Sequence, residues 1–191
     1  MEFAVKSGNP EKQRTACLVL GVYESRRLTL PAEQFDAAHG NTLSSLLRRG
    51  DLDGKIGQSL LLFNIPDALC ERVLLIGCGK EREMDDRRFR QIAHHAATAL
   101  NETGATEAVI YLNDLTVKGR EIDWKIRQIV EAIESVQYRF DTLKSRKDTL
   151  RRPLRKIILS VPGRRELPIG EQAVREGIAI AAGVKLTKDL G

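Results

Sequence analysis

The turn Gly77-Cys78-Gly79-Lys80 is the feature of this sequence whose residue types and spacing come nearest to ligand chemistry. It follows an apolar run at 72–76 and precedes a helical pattern, and a glycine-rich turn in that place can cradle a phosphate through its backbone N–H groups. It matches neither G-x-x-x-x-G-K-S/T nor G-x-G-x-x-G. Glycines are also needed simply to turn a strand into a helix. The spacing therefore leaves two interpretations open, a nucleotide site and a plain turn.

The histidines do not form a metal-binding pattern. His94 and His95 are adjacent in a helical stretch, and neighbours on a helix point about 100° apart, so the two rings do not readily share one metal. The H-E-x-x-H motif is absent. We expect one ring to pack against the protein and the other to be solvated, and we place His39 in a loop beside Gly40.

Nucleophile motifs are missing as well. The sequence contains no G-x-S-x-G, and no cysteine has a supporting histidine signature. Cys17 lies inside an apolar strand pattern, which is typical of a small core residue. The residues themselves therefore predict no catalytic and no metal-ligating side chain in this chain.

Basic residues are concentrated in one segment, which we call the basic block. Residues 139–165 hold ten Lys and Arg against two Asp, a local charge of +8 in a chain of net charge +5, so the remainder carries −3. Such a block can bind phosphates or an acidic partner. The alternative is a solvated loop and strand edge, where Lys and Arg discourage edge pairing.

Length and composition bound the class of protein. With 191 residues, 42% of them hydrophobic, and six prolines, the chain can bury its own core without disulfide or metal cross-links. No apolar run approaches ~18 residues, so no membrane span is expected. The first residues lack the pattern of a secretory signal, and three cysteines without C-x-x-C spacing do not suggest a disulfide framework. These features favour the cytoplasm.

Hydrophobic periodicity predicts alternating strands and helices, and hence a layered α/β domain. Strands are predicted at 3–5, 15–23, 58–65, 72–76, 107–112 and 155–161, and helices at 43–49, 85–101, 123–140 and 170–190. In the last helix we expect Ala173, Val174, Gly177, Ile178, Ala181 and Val184 on the buried side. We divide the chain into an accessory α/β domain at 1–168 and a connecting helix at 169–191, and we interpret the end at a helix stop as that of an excised domain.

Five segments in series carry a resemblance to a known family. They are 46–55 (LLRRGDLDGK), 72–83 (RVLLIGCGKERE), 124–132 (WKIRQIVEA), 151–162 (RRPLRKIILSVP) and 171–191 (EQAVREGIAIAAGVKLTKDLG). The chain resembles, over essentially its whole length, the N-terminal part of bacterial leucyl aminopeptidases of the cytosol aminopeptidase family, in particular the aminopeptidase A group.

The resemblance implies a macrodomain-like three-layer α/β/α sandwich with a mixed sheet, followed by a catalytic domain that this chain does not contain. It implies a cytoplasmic hexamer, built as a dimer of trimers, that releases N-terminal residues, preferably leucine, with two divalent metals, manganese or zinc. The metal ligands and catalytic residues of the family lie beyond residue 191. No cofactor or catalytic residue is therefore assigned within this chain.

Some bacterial members of the family also bind DNA, in recombination and transcriptional control, and the resemblance therefore favours the basic block as a DNA-binding surface. Affinity for DNA comes mainly from neutralised phosphates. The candidate phosphate contacts are Arg151, Arg152, Arg155, Lys156, Arg164 and Arg165. No base-reading motif is visible, so specificity would need several subunits and DNA bending.

Two alternatives remain. The implied macrodomain-like fold suggests a module that binds ADP-ribose or another nucleotide, with residues 77–79 in a phosphate loop; this is an analogy of fold alone. The other is a purely structural domain that shapes access to the active sites of an oligomer.

Overall fold

The computed structural model describes residues 1–143 and 152–190. The strands are β1 (Glu2–Ser7), β2 (Cys17–Tyr23), β3 (Arg27–Leu28), β4 (Ser59–Phe63), β5 (Arg72–Gly77), β6 (Glu107–Ile110) and β7 (Lys156–Val161). The helices are α1 (Leu30–Ala38), α2 (Thr42–Arg48), α3 (Asp86–Glu102), α4 (Ile122–Leu143) and α5 (Leu167–Leu190). Every strand and helix predicted from periodicity is present, with its ends shifted by a few residues.

The described strands form one mixed sheet in the order β1-β7-β6-β2-β5-β4, and β3 pairs with the end of β2. The strands β1, β7, β6, β2 and β5 are parallel, whereas β4 and β3 are antiparallel to their neighbours. All five parallel strands therefore end at the same side of the sheet. We call this side the carboxyl edge and the opposite side the amino edge.

Alternation along the strands divides the core into two halves. In β2, Val19 packs into the cluster that holds α3, α4 and α5, while Leu18 and Leu20 pack into the cluster that holds α1 and α2. All seven residues of β2 are buried, as is usual when helices cover both faces of a sheet. The predicted three-layer α/β/α sandwich with a mixed sheet is confirmed.

Helix α3 begins where the sequence indicates. The carboxylate of Asp85 accepts a hydrogen bond of 2.8 Å from the backbone N–H of Arg88, which satisfies one of the free donors at the start of the helix. Phe89, Ile92 and Leu100 then point into the core. This helix therefore combines a local cap with an apolar stripe, and both signals are visible in the sequence.

The buried side predicted for α5 is wrong in its second half. Ala173, Val174 and Gly177 are buried, but Ile178 and Val184 are 40% and 48% exposed. A helix of 24 residues is about 36 Å long, whereas strands of six residues span about 20 Å. The second half of α5 therefore extends past the sheet and has no strand beneath it.

Candidate functional site

The glycine turn after β5 is closed by the chain itself. The backbone N–H groups of residues 77, 78 and 79 donate to the carbonyls of Gln58, Val22 and Gly54 at 2.9, 2.8 and 2.8 Å. A Cβ on Gly77 would lie 2.0 Å from the carbonyl oxygen of Lys55. Since all three donors are occupied, the interpretation of this turn as a phosphate loop is not supported, and the plain turn is the correct interpretation.

Of the two adjacent histidines, one is more exposed than the other, in line with the expectation. His94 is exposed, and His95 is half-buried with a buried Nε2 that has no hydrogen-bond partner in the described part of the chain. His39 follows α1 and is buried, with its ring stacked on Phe35 at 4.1 Å between centroids. Within residues 1–143 and 152–190 no group of three or more His, Cys, Asp or Glu is arranged to hold a metal ion. These residues do not fit a two-metal centre.

The cysteines are core residues. Cys17 and Cys78 are fully buried, and burial raises the pKa of each thiol to about 12. Burial also raises the pKa of Cys70. A thiol held in this way is a poor nucleophile, because the thiolate is the reactive form. The prediction that Cys17 is a small core residue is confirmed.

Strand β7 divides the basic block. Arg152 and Arg155, which we call the amino-end arginines, are exposed where β7 begins, and Arg164 and Arg165, the carboxyl-end arginines, are exposed just after it ends. Six strand residues separate the two pairs by about 20 Å. Arg151 lies outside the described residues. Among the described residues near β7, the exposed arginines of the block therefore form two separate pairs at opposite edges of the sheet.

Lys156 belongs to neither group. Its Nζ lies 3.6 Å from a carboxylate oxygen of Glu2 and 3.9 Å from one of Glu107, which flank it on the two neighbouring strands. Two carboxylates thus compensate the charge of this half-buried ammonium group. As a phosphate contact it is weaker than the exposed arginines.

A cleft of about 620 Å³ opens at the carboxyl edge, the place where open α/β sheets usually bind ligands. Arg27 pairs there with Glu81 and lies over the ring of Tyr23, 4.8 Å from its centroid. Five carboxylate side chains line the cleft against two basic ones, Arg27 and Lys125. This balance repels a pyrophosphate, so the cleft does not suit ADP-ribose electrostatically.

Asp114 and Lys125 are the titratable pair of this cleft. Burial raises the pKa of Asp114 to about 6, although the nearby Lys125 lowers it. Burial also lowers the pKa of Lys125, whose Nζ donates to the carbonyl of Leu115 at 2.9 Å. The carboxyl group of Asp114 therefore changes charge just below neutral pH. This pair was not predicted from the sequence, although a polar Asn-Asp step directly after an apolar strand was an available signal.

The outer half of α5 presents apolar side chains to solvent. These are Ile178, Ile180, Val184, Leu186 and Leu190, between 40% and 81% exposed. Several exposed large apolar side chains on one stretch of helix indicate an interaction site. No helix among the described residues is long and apolar enough to cross a membrane.

Comparisons with known proteins place the chain in a family. Residues 19–147 match the model of the N-terminal domain of the cytosol aminopeptidase family. The chain is 57% identical over 190 residues to a probable cytosol aminopeptidase of Photorhabdus laumondii and 58% identical to that of Colwellia psychrerythraea. In both cases the alignment covers 100% of this chain and 38% of the relative. The chain thus spans well under half of these proteins.

Solved structures agree on the fold. A mutant of tomato leucine aminopeptidase superimposes with a TM-score of 0.75 at 19% identity, over 100% of this chain and 38% of that one. The macrodomain of Mycobacterium tuberculosis DarG superimposes with a TM-score of 0.56 at 13% identity, over 82% of this chain and 96% of the other. Because the family model covers more than half of the sequence, the chain belongs to the cytosol aminopeptidase family and carries its N-terminal domain.

Proposed function

We propose that this chain is the non-catalytic N-terminal domain of a cytoplasmic, metal-dependent leucyl aminopeptidase that releases N-terminal residues, preferably leucine, from peptides. The observation that carries the proposal is the match of the entire chain, at 57–58% identity, to 38% of proteins named probable cytosol aminopeptidases. The two divalent metals, manganese or zinc, and the groups that act on the peptide belong, on this proposal, to the part of the protein that the chain does not span.

The catalytic side of the proposal is tested with the purified chain and leucine p-nitroanilide, with and without added manganese or zinc. We expect no hydrolysis, because the described residues do not fit a metal pair. The matched control is a longer product of the same reading frame, which should hydrolyse the substrate in a metal-dependent way. Metal-dependent turnover by the 191-residue chain would overturn the proposal, and so would a reading frame without metal ligands after residue 191.

The structural role that we propose for this domain is to connect to the rest of the polypeptide and to support assembly of the oligomer. The exposed apolar side chains of α5 are suited to dock on the remainder of the same polypeptide and to support a hexamer arranged as a dimer of trimers. Its five apolar side chains lie on a helix whose first half is anchored by Ala173, Val174 and Gly177. A rigid helix with one end buried and the other uncovered is a suitable connector between two domains.

Assembly is tested in the longer product with Ile178→Asp and Val184→Asp, and with Arg175→Asp as an exposed control on the same helix. We expect light scattering to show a shift from hexamer to smaller species for the first two variants and no shift for the control. In the 191-residue chain, all three should retain the circular dichroism spectrum of the parent. A hexamer that survives both apolar replacements would contradict the assembly role.

A DNA-binding surface is the second part of the proposal. Arg152, Arg155, Arg164 and Arg165 are exposed, and no carboxylate of the described residues lies within ion-pair distance of them. Uncompensated arginines are suited to phosphate contact. Because the two pairs lie at opposite edges of the sheet, one duplex would reach both only by bending or through several subunits.

A module that binds ADP-ribose is the alternative, favoured by the likeness to a macrodomain. Two observations argue against this alternative. The backbone donors of the glycine turn are occupied, and carboxylates outnumber basic side chains in the cleft. A calorimetric titration with ADP-ribose decides the matter. We expect no heat of binding, whereas saturable binding that Arg27→Gln abolishes would establish the alternative.

A further inference from the structure

The outer face of α3 forms one wall of a hollow of about 690 Å³. Its lining residues on α3 are Arg87, Arg90, Gln91, His94, His95 and Thr98, and Ile56 and Gly57 close it from the loop before β4. These positions recur at intervals of three and four, so they share the helix face opposite the buried stripe. The hollow is separate from both arginine pairs of β7.

This face has the composition of an anion site. Each of the six α3 side chains ends in a group that can donate a hydrogen bond, and none is a carboxylate. Residues 87–101 contain three Arg, two His and no Asp or Glu. A solvated helix face commonly carries both signs of charge. The absence of acids over this stretch of α3 is therefore an observation independent of the hollow.

The local contacts leave donors free for a ligand. Arg88 pairs with Asp85 at 2.7 Å, but no carboxylate oxygen of the described residues lies within ion-pair distance of Arg87 or Arg90. Arg90 uses Nε to donate to Gln128 at 2.9 Å, and its guanidinium group lies over the ring of Trp124, 5.5 Å from the centroid. These contacts orient the group and leave both terminal nitrogens without a hydrogen bond to the described residues. The buried Nε2 of His95 also has no partner among the described residues.

Acidic groups do surround the hollow and limit its charge. Glu131 on α4 lies close enough to Arg90 for the two charges to interact. Asp86, at the start of α3, pairs with Arg120 at 2.6 Å and also interacts with the charge of Arg90. With neutral imidazoles, Arg87 and Arg90 still give the lining a net positive charge.

We propose that this face of α3 binds phosphate groups. The Thr98 hydroxyl donates to the carbonyl of His94 at 3.0 Å, so the available donors run from position 87 to position 95, about 12 Å along the helix, and can contact more than one phosphate at a time. The ligand chemistry is that of a free polyphosphate-bearing molecule or of a nucleic-acid backbone. The inference does not rest on the proposed aminopeptidase role, since the hollow lies wholly within the described domain.

The test titrates inorganic phosphate, tripolyphosphate and a short random-sequence DNA duplex separately into isotope-labelled chain at low salt. We expect tripolyphosphate to shift the backbone and imidazole resonances of residues 87–98, with saturation. The double variant Arg87→Gln/Arg90→Gln should bind it about tenfold or more weakly. Arg175→Gln, an exposed arginine on α5, is the matched control and should bind like the parent.

A second variant distinguishes a loss of binding from a loss of folding. Arg87→Gln/His94→Gln alters two exposed side chains that do not contact Gln128 or Trp124, and it should also weaken binding. Shifts caused by the duplex identify a nucleic-acid backbone as a source, and shifts caused by tripolyphosphate alone identify a small phosphorylated ligand. The proposal is wrong if no probe perturbs residues 87–98 or if both double variants bind like the parent. Neither result depends on the hydrolysis or assembly tests above.

Discussion

The carbonyl oxygen of Lys55 occupies the place where a side chain on Gly77 would begin, 2.0 Å from the position of a Cβ. The loop before β4 thus packs directly on the end of β5, and the N–H of Gly77 donates to the carbonyl of Gln58 in the same loop. Glycine is required at position 77 because two backbone segments meet there. No ligand needs to be invoked.

Replacing this glycine should therefore destabilise the domain. Gly77→Ala forces Lys55 and its neighbours to move, and we expect the free energy of unfolding to fall by about 3 kcal/mol. Gly183→Ala is the matched control, since nothing lies within 4 Å of its added Cβ and it belongs to α5. For this control we expect the free energy of unfolding to rise by about 0.5–1 kcal/mol, because alanine favours a helix more than glycine does. Urea titrations of the two variants should move in opposite directions, and equal stability would contradict this account of the turn.

Asp114 should make the domain less stable as the pH rises through the weakly acidic range. Its folded pKa of about 6 is above the ordinary value of 3.8. The folded state therefore retains the proton after the unfolded state has lost it. Stability falls between about pH 4 and pH 6 and then levels. Because Asp114 is exposed on one side and water screens its charge, we expect a total loss of about 1 kcal/mol.

Asp114→Asn should remove this pH-dependent contribution to stability. The difference in the free energy of unfolding between the parent and the variant should therefore grow from pH 4 to pH 6 and then stay constant. Unfolding free energies measured by urea at several pH values give the difference directly. Asp67→Asn, at an exposed turn whose positive φ suits Asn, is the control. A parent and an Asp114 variant with parallel pH profiles would disprove the raised pKa.

The cysteines should be protected from alkylation in the folded protein. With pKa values of about 12, Cys17 and Cys78 hold about a thousandfold less thiolate at pH 8 than a free cysteine. Iodoacetamide followed by mass spectrometry should label neither in buffer and both in urea. Labelling of Cys17 or Cys78 at equal rates in the two conditions would show that these sites open to solvent.

The two arginine pairs of β7 make separable predictions for DNA binding. Arg152→Glu/Arg155→Glu and Arg164→Glu/Arg165→Glu each remove two candidate phosphate contacts. Either should lower the log–log salt slope of binding by about 2 where that edge contacts DNA. Arg175→Glu controls for the change of net charge alone. If neither pair changes affinity or slope, the DNA part of the proposal is wrong.

Elements with strong local signals could be predicted. The continuous apolar run of β2 and the cap and stripe of α3 lie within single stretches of sequence, and their physics is local. Helix α1 was missed because its buried side is not purely apolar. Asp36 is buried there and accepts a hydrogen bond of 2.7 Å from the backbone N–H of Leu43, at the start of α2. Because the carboxylate of Asp36 points inward to cap α2, it interrupts the apolar pattern of α1.

The sequence by itself determined the order of strands and helices, the α/β class, the absence of familiar catalytic motifs and the excess of basic residues between 139 and 165. The tertiary structure decided how these parts meet. It separated the amino-end from the carboxyl-end arginines, brought Asp114 to Lys125, left Ile178 uncovered and closed the glycine turn with Lys55. Periodicity depends on neighbours within one element, whereas these outcomes depend on contacts between segments distant in the chain, which periodicity does not encode.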